Sequence, residues 1–129
     1  MPRDVGDEGG FRISAHQVDP DIVLVAIAGD LDVVTVLQTT TFLTQTTAVM
    51  PRHLILDLSG VTFLTSSGIG MLIAAGNDAS HGQLHLLGVT DNRAVQRPLA
   101  SAGLLDCFDI APDLDTLVAR LHTIRPAAV

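Results

Sequence analysis

The run HLILDL over residues 53–58 is short and almost entirely apolar, and few folds accommodate such a strand. A strand with apolar side chains on both faces is typical of the middle of a parallel sheet, where helices cover both sides. Ser59-Gly60 breaks the run, and the sequence predicts a short loop over residues 61–65. The chain therefore contains at least one central strand that other elements must cover.

A helix is predicted directly after this loop, beginning near Ser66. Either Ser66 or Thr65 suits the N-cap, because a hydroxyl there can accept a hydrogen bond from the first turn. The predicted inner face consists of residues at helical spacing: Ile69, Leu72, Ile73 and Gly76.

Residues 11–18 and 22–28 are two strand-like segments separated by Asp19-Pro20-Asp21, a pattern that predicts a hairpin. The next segment, residues 33–50, contains seven threonines. β-Branched threonine disfavours a helix, yet Val36 and Leu43 fall at helical spacing, so propensity alone leaves this segment open.

The remaining elements alternate: a strand over residues 83–87, a helix over 91–102, a strand within 104–110, and a helix after Pro112. Pro98 should either kink the helix over 91–102 or mark where two short helices meet. This order predicts one α/β domain, with a mixed sheet, a leading hairpin and about four helices packed on it. The length of 129 residues is that of a single domain.

Composition excludes several classes of partner. The net charge is −7 and only 3% of residues are aromatic, so neither phosphate-backbone binding nor base stacking is expected. The same charge argues against an anionic membrane surface, and no apolar run approaches the roughly 20 residues of a membrane span. The acidic, glycine-rich residues 1–10 are predicted to be a flexible tail rather than a signal peptide.

Cys107 is the only cysteine, and its residue type predicts a small buried side chain. A single cysteine fits a reducing compartment such as the cytoplasm. The five histidines are scattered along the sequence, so no metal site and no cofactor are predicted.

Ser66-Ser67-Gly68 could suggest a small hydrolase, but the nucleophile elbow requires glycine two residues before and two after the serine. Ser66 meets half of this pattern and Ser67 meets neither half. The residues therefore predict no enzyme, and a serine pair that opens a helix is in most proteins an ordinary cap.

The stretch DLSGVTFLTSSGIG, residues 57–70, closely resembles the signature of STAS-domain anti-sigma factor antagonists. Gly29-Asp30-Leu31-Asp32 resembles a second motif of that family, G-E-L-D, and residues 84–110 resemble its later strands and third helix. The resemblance implies a STAS domain over residues 11–125, with a short C-terminal tail at 126–129. It also implies that the threonine-rich segment is helical.

The resemblance further implies a function. Such proteins bind an anti-sigma factor, usually a serine kinase with a histidine-kinase-like ATPase fold, and thereby free a sigma factor. The kinase phosphorylates the first serine of the motif, here Ser66, and a serine phosphatase reverses the modification. The implied partner surface comprises Asp30, Asp32, Ser66 and Ser67.

One residue departs from the family pattern: Thr65 stands where the family usually has aspartate before the modified serine. Thr65 is therefore the alternative phosphate acceptor. Two other functions are compatible with the sequence. The chain could be a STAS module of another signalling assembly, or a small serine hydrolase.

Overall fold

The structure is a computed structural model that describes residues 10–78, 80 and 82–123, together with the backbone of residues 3–8. Its strands and α-helices occur in the order β1 (Arg3–Glu8), β2 (Phe11–Asp19), β3 (Ile22–Leu31), α1 (Val33–Thr46), β4 (His53–Leu64), α2 (Ser66–Asn77), β5 (Gln83–Leu87), α3 (Arg93–Ser101), β6 (Asp109–Ile110) and α4 (Leu114–Thr123). Short 3₁₀ turns follow α1 at Thr47–Val49 and precede β6 at Leu105–Cys107.

The six strands form one sheet and lie in it in the order of the chain. β1, β2 and β3 are antiparallel neighbours, whereas β3, β4, β5 and β6 run parallel. This confirms the predicted α/β fold with a mixed sheet, a leading hairpin and four α-helices. Because β3 and β4 are parallel, their carboxyl ends meet at one edge, where Leu31 lies opposite Leu64.

β1 lies in the segment for which the sequence predicted a flexible tail. It pairs antiparallel with β2, with Val5 opposite Ile13. Such pairing joins backbone groups, and the free edge of β2 offers them to any extended segment, so an acidic, glycine-rich composition does not prevent it. The domain limits of 11–125 and the tail at 126–129 stay predictions, since residues 124–129 lie outside the described part of the chain.

β4 does not end at Leu58, and the predicted loop over residues 61–65 is wrong. The strand continues through Leu64, and its pairing with β3 shifts register twice. At each shift β4 has one residue more than β3, and the two strands stay paired on both sides of the extra residue. Each shift is therefore a β-bulge. Gly60 is needed at the first bulge, because a Cβ there would lie 2.8 Å from the Cβ of Ala28.

α1 is helical, as the family resemblance implied and propensity did not decide. Its threonines are accommodated because their hydroxyls bond to the helix's own backbone. Thr39 donates to the Thr35 carbonyl at 2.9 Å, and Thr46 donates to the Phe42 carbonyl at 3.0 Å. This back-bonding lets Thr39 be fully buried without an unpaired hydroxyl.

The inner face of α2 differs from the predicted one. Its buried residues are Gly68, Met71, Leu72 and Ala75, whereas Ile73 is 40% exposed. Leu72 belongs to both sets. The predicted face began one residue too late, because Gly68 has no side chain and gave no apolar signal in the sequence.

α3 is a single helix over Arg93–Ser101 although Pro98 lies within it. Proline removes one intrahelical hydrogen bond, so the sequence predicted either a kink or two short helices, and the second alternative is wrong. Val95 and Leu99 are fully buried on its inner face. Packing of these two side chains offsets the missing bond, so the helix persists.

Cys107 is exposed, so the prediction of a buried side chain is wrong. Within the predicted strand at residues 104–110, only β6 pairs with the sheet, and the 3₁₀ turn precedes it. Leu104, Leu105 and Phe108 pack against the core. Because these side chains take the inward positions, Cys107 faces solvent.

Four side chains form a polar chain across the amino-terminal part of β4 and its neighbours, which no sequence pattern indicated. His53 Nδ1 lies 3.0 Å from His85 Nε2, and His85 Nδ1 lies 2.5 Å from Asp109 Oδ2. Arg120 of α4 donates to the same carboxylate oxygen at 2.7 Å. Burial alone would raise the pKa of Asp109, but the hydrogen bonds from Arg120 and His85 hold it below its ordinary value.

This chain of side chains makes stability sensitive to mild acid. The pKa of His53 lies below its ordinary value of 6.5, because burial disfavours the charged ring and His85 stands beside it. Below about pH 6.5 the unfolded chain therefore takes up a proton that the folded protein does not, and the free energy of unfolding falls with falling pH. Urea titrations at several pH values should show this slope, and His53→Gln should reduce it.

His16 offers the matched control, because it lies exposed on β2. His16→Gln is measured in parallel, and the change of slope in His53→Gln is taken relative to this variant. An unchanged slope in His53→Gln would contradict the role of His53.

Candidate functional site

Both sequence motifs meet at the carboxyl edge formed by β3 and β4. Asp30 lies opposite Phe63 near the end of the β3–β4 pairing, and Asp32 follows the end of β3. Thr65 follows the end of β4, and Ser66-Ser67 opens α2. The structure therefore brings together all of the site residues that the sequence analysis selected.

Asp32 is the N-cap of α1. Its carboxylate accepts hydrogen bonds from the backbone N–H groups of Val34 at 2.9 Å and Thr35 at 3.0 Å. The Thr35 hydroxyl in turn accepts from the Asp32 backbone N–H at 2.9 Å, which completes a capping box. The hydrogen bond from the Thr35 backbone, with that from Val34, lowers the pKa of Asp32, so its charge is held at this edge.

Asp30 is exposed and is held by two neighbours. The Thr62 hydroxyl of β4 donates to its carboxylate at 2.7 Å, and the Thr35 hydroxyl donates to its backbone carbonyl at 2.6 Å. Asp30 thus links β3 to β4 and to α1 while its carboxylate faces solvent. Two acidic groups, Asp30 and Asp32, stand at this edge.

Thr65 is the N-cap of α2 and also attaches this helix to β3. Its hydroxyl donates to the Leu31 carbonyl at 2.8 Å and accepts from the Gly68 backbone N–H at 3.4 Å. Its backbone N–H donates to the same Leu31 carbonyl at 3.1 Å. The sequence left Ser66 and Thr65 open as the N-cap of α2, and the N-cap is Thr65. Its hydroxyl both donates and accepts a hydrogen bond.

Removal of this hydroxyl should destabilise the fold. We expect Thr65→Ala to lower the free energy of unfolding by about 1–2 kcal/mol, since the cap and the bond to Leu31 are both lost. Thr65→Ser keeps the hydroxyl and should lose less than half of that amount. Urea unfolding of the two variants measures the difference, and equal stability of Thr65→Ala and the unmodified protein would contradict this role.

Ser66 is exposed in the first turn of α2, and its hydroxyl has no hydrogen-bond partner among the described residues. Ser67 is half-buried. Gly68 is buried, and a Cβ there would lie 2.6 Å from Leu64 Cδ1 and 3.0 Å from the Leu31 carbonyl oxygen. The glycine therefore lets the start of α2 approach β3 closely. Of the two serines, Ser66 has the more accessible side chain.

Exposed apolar side chains lie beside this polar edge, and no sequence pattern indicated them. Phe63 is 57% exposed, and in the first two turns of α1 Val33 is 69%, Val34 62% and Leu37 70% exposed. A contiguous patch of exposed large apolar residues marks an interaction surface, whereas singly scattered ones are ordinary. Valine, leucine and phenylalanine are also the residue types of a core, so no sequence pattern distinguished these exposed positions.

A catalytic arrangement around Ser66 is not found in the described part of the chain. His53 and His85 lie toward the opposite end of β4 and β5, and the length of β4 places His53 on the order of 35 Å from Ser66. Within the described ranges, no group of three or more His, Cys, Asp or Glu side chains could hold a metal ion. No helix among them has the length and apolar character to span a bilayer.

Comparison with known proteins places the chain in a family. The model of the STAS domain matches residues 14–117. No curated protein matches the chain by sequence. Twenty-nine chains of solved structures match it.

Three of these solved structures illustrate the range of structural similarity and sequence identity. An anti-sigma factor antagonist from Mycobacterium paratuberculosis has a TM-score of 0.73 and 23% identity, over 95% of each chain. A variant of RsbS from Moorella thermoacetica has a TM-score of 0.69 and 27% identity, over 87% of this chain and 96% of that one. The Bacillus cell fate determinant SpoIIAA in its phosphorylated form has a TM-score of 0.63 and 19% identity, over 84% and 98%. With the family model covering most of its length, this chain belongs to the STAS domain family.

Proposed function

We propose that this protein is an anti-sigma factor antagonist, a non-catalytic module that binds an anti-sigma factor in the cytoplasm and so releases a sigma factor. Its partner is an anti-sigma factor of the serine kinase type, with a histidine-kinase-like ATPase fold. The proposed contact surface includes Asp30, Asp32, Ser66 and Ser67. The observation that carries the proposal is the exposed, unengaged Ser66 hydroxyl at the start of α2, beside two acidic groups and exposed apolar side chains.

Phosphorylation of Ser66 is the proposed switch, and a serine phosphatase reverses it. Ser66 is favoured over Thr65 because the Thr65 hydroxyl is already hydrogen-bonded to Leu31 and Gly68. A phosphate on Ser66 would stand at the amino end of α2, where the helix dipole favours an anion. The fold should therefore tolerate the phosphate, and its effect would fall on the partner.

The test is phosphorylation by the host's candidate anti-sigma kinases, with the product mapped by mass spectrometry. Phosphate is expected on Ser66, retained in Ser67→Ala and lost in Ser66→Ala. Thr65→Asp restores the carboxylate usual in the family, and if Thr65 slows the kinase, this variant should incorporate more phosphate. Phosphate on Thr65 instead, or none from a kinase shown to be active on another antagonist, would contradict the assignment.

A further inference from the structure

α1 and α2 carry no charged side chain along their whole length. α1 has 14 residues and α2 has 12, and none of them is Asp, Glu, Lys, Arg or His. The protein has a net charge of −7, and the other two α-helices of the described chain are charged: α3 contains Arg93 and Arg97, and α4 contains Asp115 and Arg120. Among the four α-helices described, only the two that begin at the site lack charged residues.

These helices also form a continuous surface. They pack against each other, and the groove between them is about 140 Å³ in volume. It is lined mainly by apolar side chains and two threonines, with Asp78 just beyond α2. The lining includes Val36, Leu43, Met71 and Ala74. A groove of this kind offers room for an apolar side chain of a partner.

Ser66 lies on the same surface. Ser66, Gly70 and Ala74 follow at four-residue spacing, which places them along one side of α2, and all three are exposed. Ala74 also lines the groove. We call the solvent-facing side of α1 and α2, from Val33 and Ser66 to the groove, the uncharged face.

We propose that the uncharged face is the central contact with the anti-sigma factor, and that the matching surface of the partner is itself uncharged and inserts an apolar side chain into the groove. This rests on the proposed function and specifies the chemistry of its partner. Depletion of charged residues is the compositional mark of an interface centre, where water is excluded. Asp30 and Asp32 stand at the rim of the face, where charge stays hydrated.

The proposal also assigns the physical basis of the switch. A phosphate on Ser66 would place a charge of about −1.5 to −2 at the border of a contact that excludes water. Without a basic partner group, that charge cannot be compensated, and binding weakens because the phosphate must lose its hydration. Repulsion from an acidic partner surface is the competing mechanism, and it differs in its response to charge sign and to salt.

The first arm of the experiment tests charge sign at Thr40, which is exposed and lines the groove. Thr40→Lys, Thr40→Glu and Thr40→Gln are compared for affinity to the purified anti-sigma factor. Lys and Glu are both expected to weaken binding at least about tenfold relative to Gln, which has similar length without charge. If either charge tightens binding, the partner surface carries the opposite charge and the proposal is wrong.

The second arm tests salt. The ratio of dissociation constants between Ser66→Asp and the unmodified protein is measured at about 0.05 M and about 0.5 M NaCl, between which screening of exposed charges increases strongly. Loss of hydration predicts a ratio that changes less than about twofold. A ratio that falls several-fold at high salt shows repulsion and overturns the proposal.

The remaining outcomes are also decisive. If the anti-sigma factor binds and none of the Thr40 variants changes the affinity, the face is not the interface, although the proposed function stands. If no anti-sigma factor binds the unmodified protein, the proposed function fails together with this proposal. If the protein sediments as a dimer that Thr40→Lys dissociates, a second copy covers the face and the proposal is wrong.

Discussion

Ser66→Asp should weaken binding to the anti-sigma factor by about 100-fold while leaving the melting temperature nearly unchanged. An unpaired charge that becomes buried in a contact costs about 3 kcal/mol, which corresponds to that factor. In the free protein the same carboxylate is exposed at the amino end of α2, where the helix dipole stabilises it by a few tenths of a kcal/mol. Isothermal titration calorimetry and thermal unfolding measure the two effects separately.

Ser66→Asn is the matched control, because asparagine has the shape of aspartate without its charge. It should weaken binding much less than Ser66→Asp. Affinity of Ser66→Asp equal to that of the unmodified protein would exclude Ser66 from the interface, and an equal loss in both variants would show that shape, not charge, matters.

Gly68→Ala should destabilise the fold by about 1–3 kcal/mol, although alanine is the better helix former. A Cβ at position 68 would press on Leu64 and on the Leu31 carbonyl, and the carbonyl belongs to the sheet and cannot move aside easily. The start of α2 would have to shift away from β3, which would also strain the bonds made by Thr65. Urea unfolding measures the loss.

Gly70→Ala provides the opposite expectation in the same helix. Gly70 is exposed, and a Cβ there would meet no atom within 4 Å. This variant should gain about 0.5–1 kcal/mol of stability, because alanine loses less backbone entropy in a helix than glycine does. If Gly68→Ala were as stable as Gly70→Ala, the close approach of α2 to β3 would not be the reason for Gly68.

The sequence predicted the sheet well where apolar runs were strong. The buried strand beginning at His53 and the hairpin before it follow from side-chain patterns that only a few strand arrangements satisfy. The meeting of the two motifs was predictable too, because motifs that end neighbouring parallel strands lie at one edge of the sheet. In the threonine-rich α1, tertiary packing decided the structure, and local propensity did not.

Other features depend on contacts between residues distant in sequence. The continuation of β4 through Ser59-Gly60 requires two bulges against β3, and β1 is held by backbone pairing that any extended segment can make. His53 and His85 meet across 32 positions, because β4 and β5 are parallel neighbours. The exposed apolar residues of α1 were not predicted to be exposed, because their residue types are those of a core.

Release of the sigma factor tests the proposed function most directly. The purified complex of the host's sigma and anti-sigma factors is titrated with the unmodified protein and with the protein phosphorylated on Ser66, and free sigma factor is measured by gel filtration. The unmodified protein should displace the sigma factor in proportion to its concentration, and the phosphorylated form should not. If the unmodified protein neither binds the anti-sigma factors nor displaces their sigma factors, the proposed function is wrong.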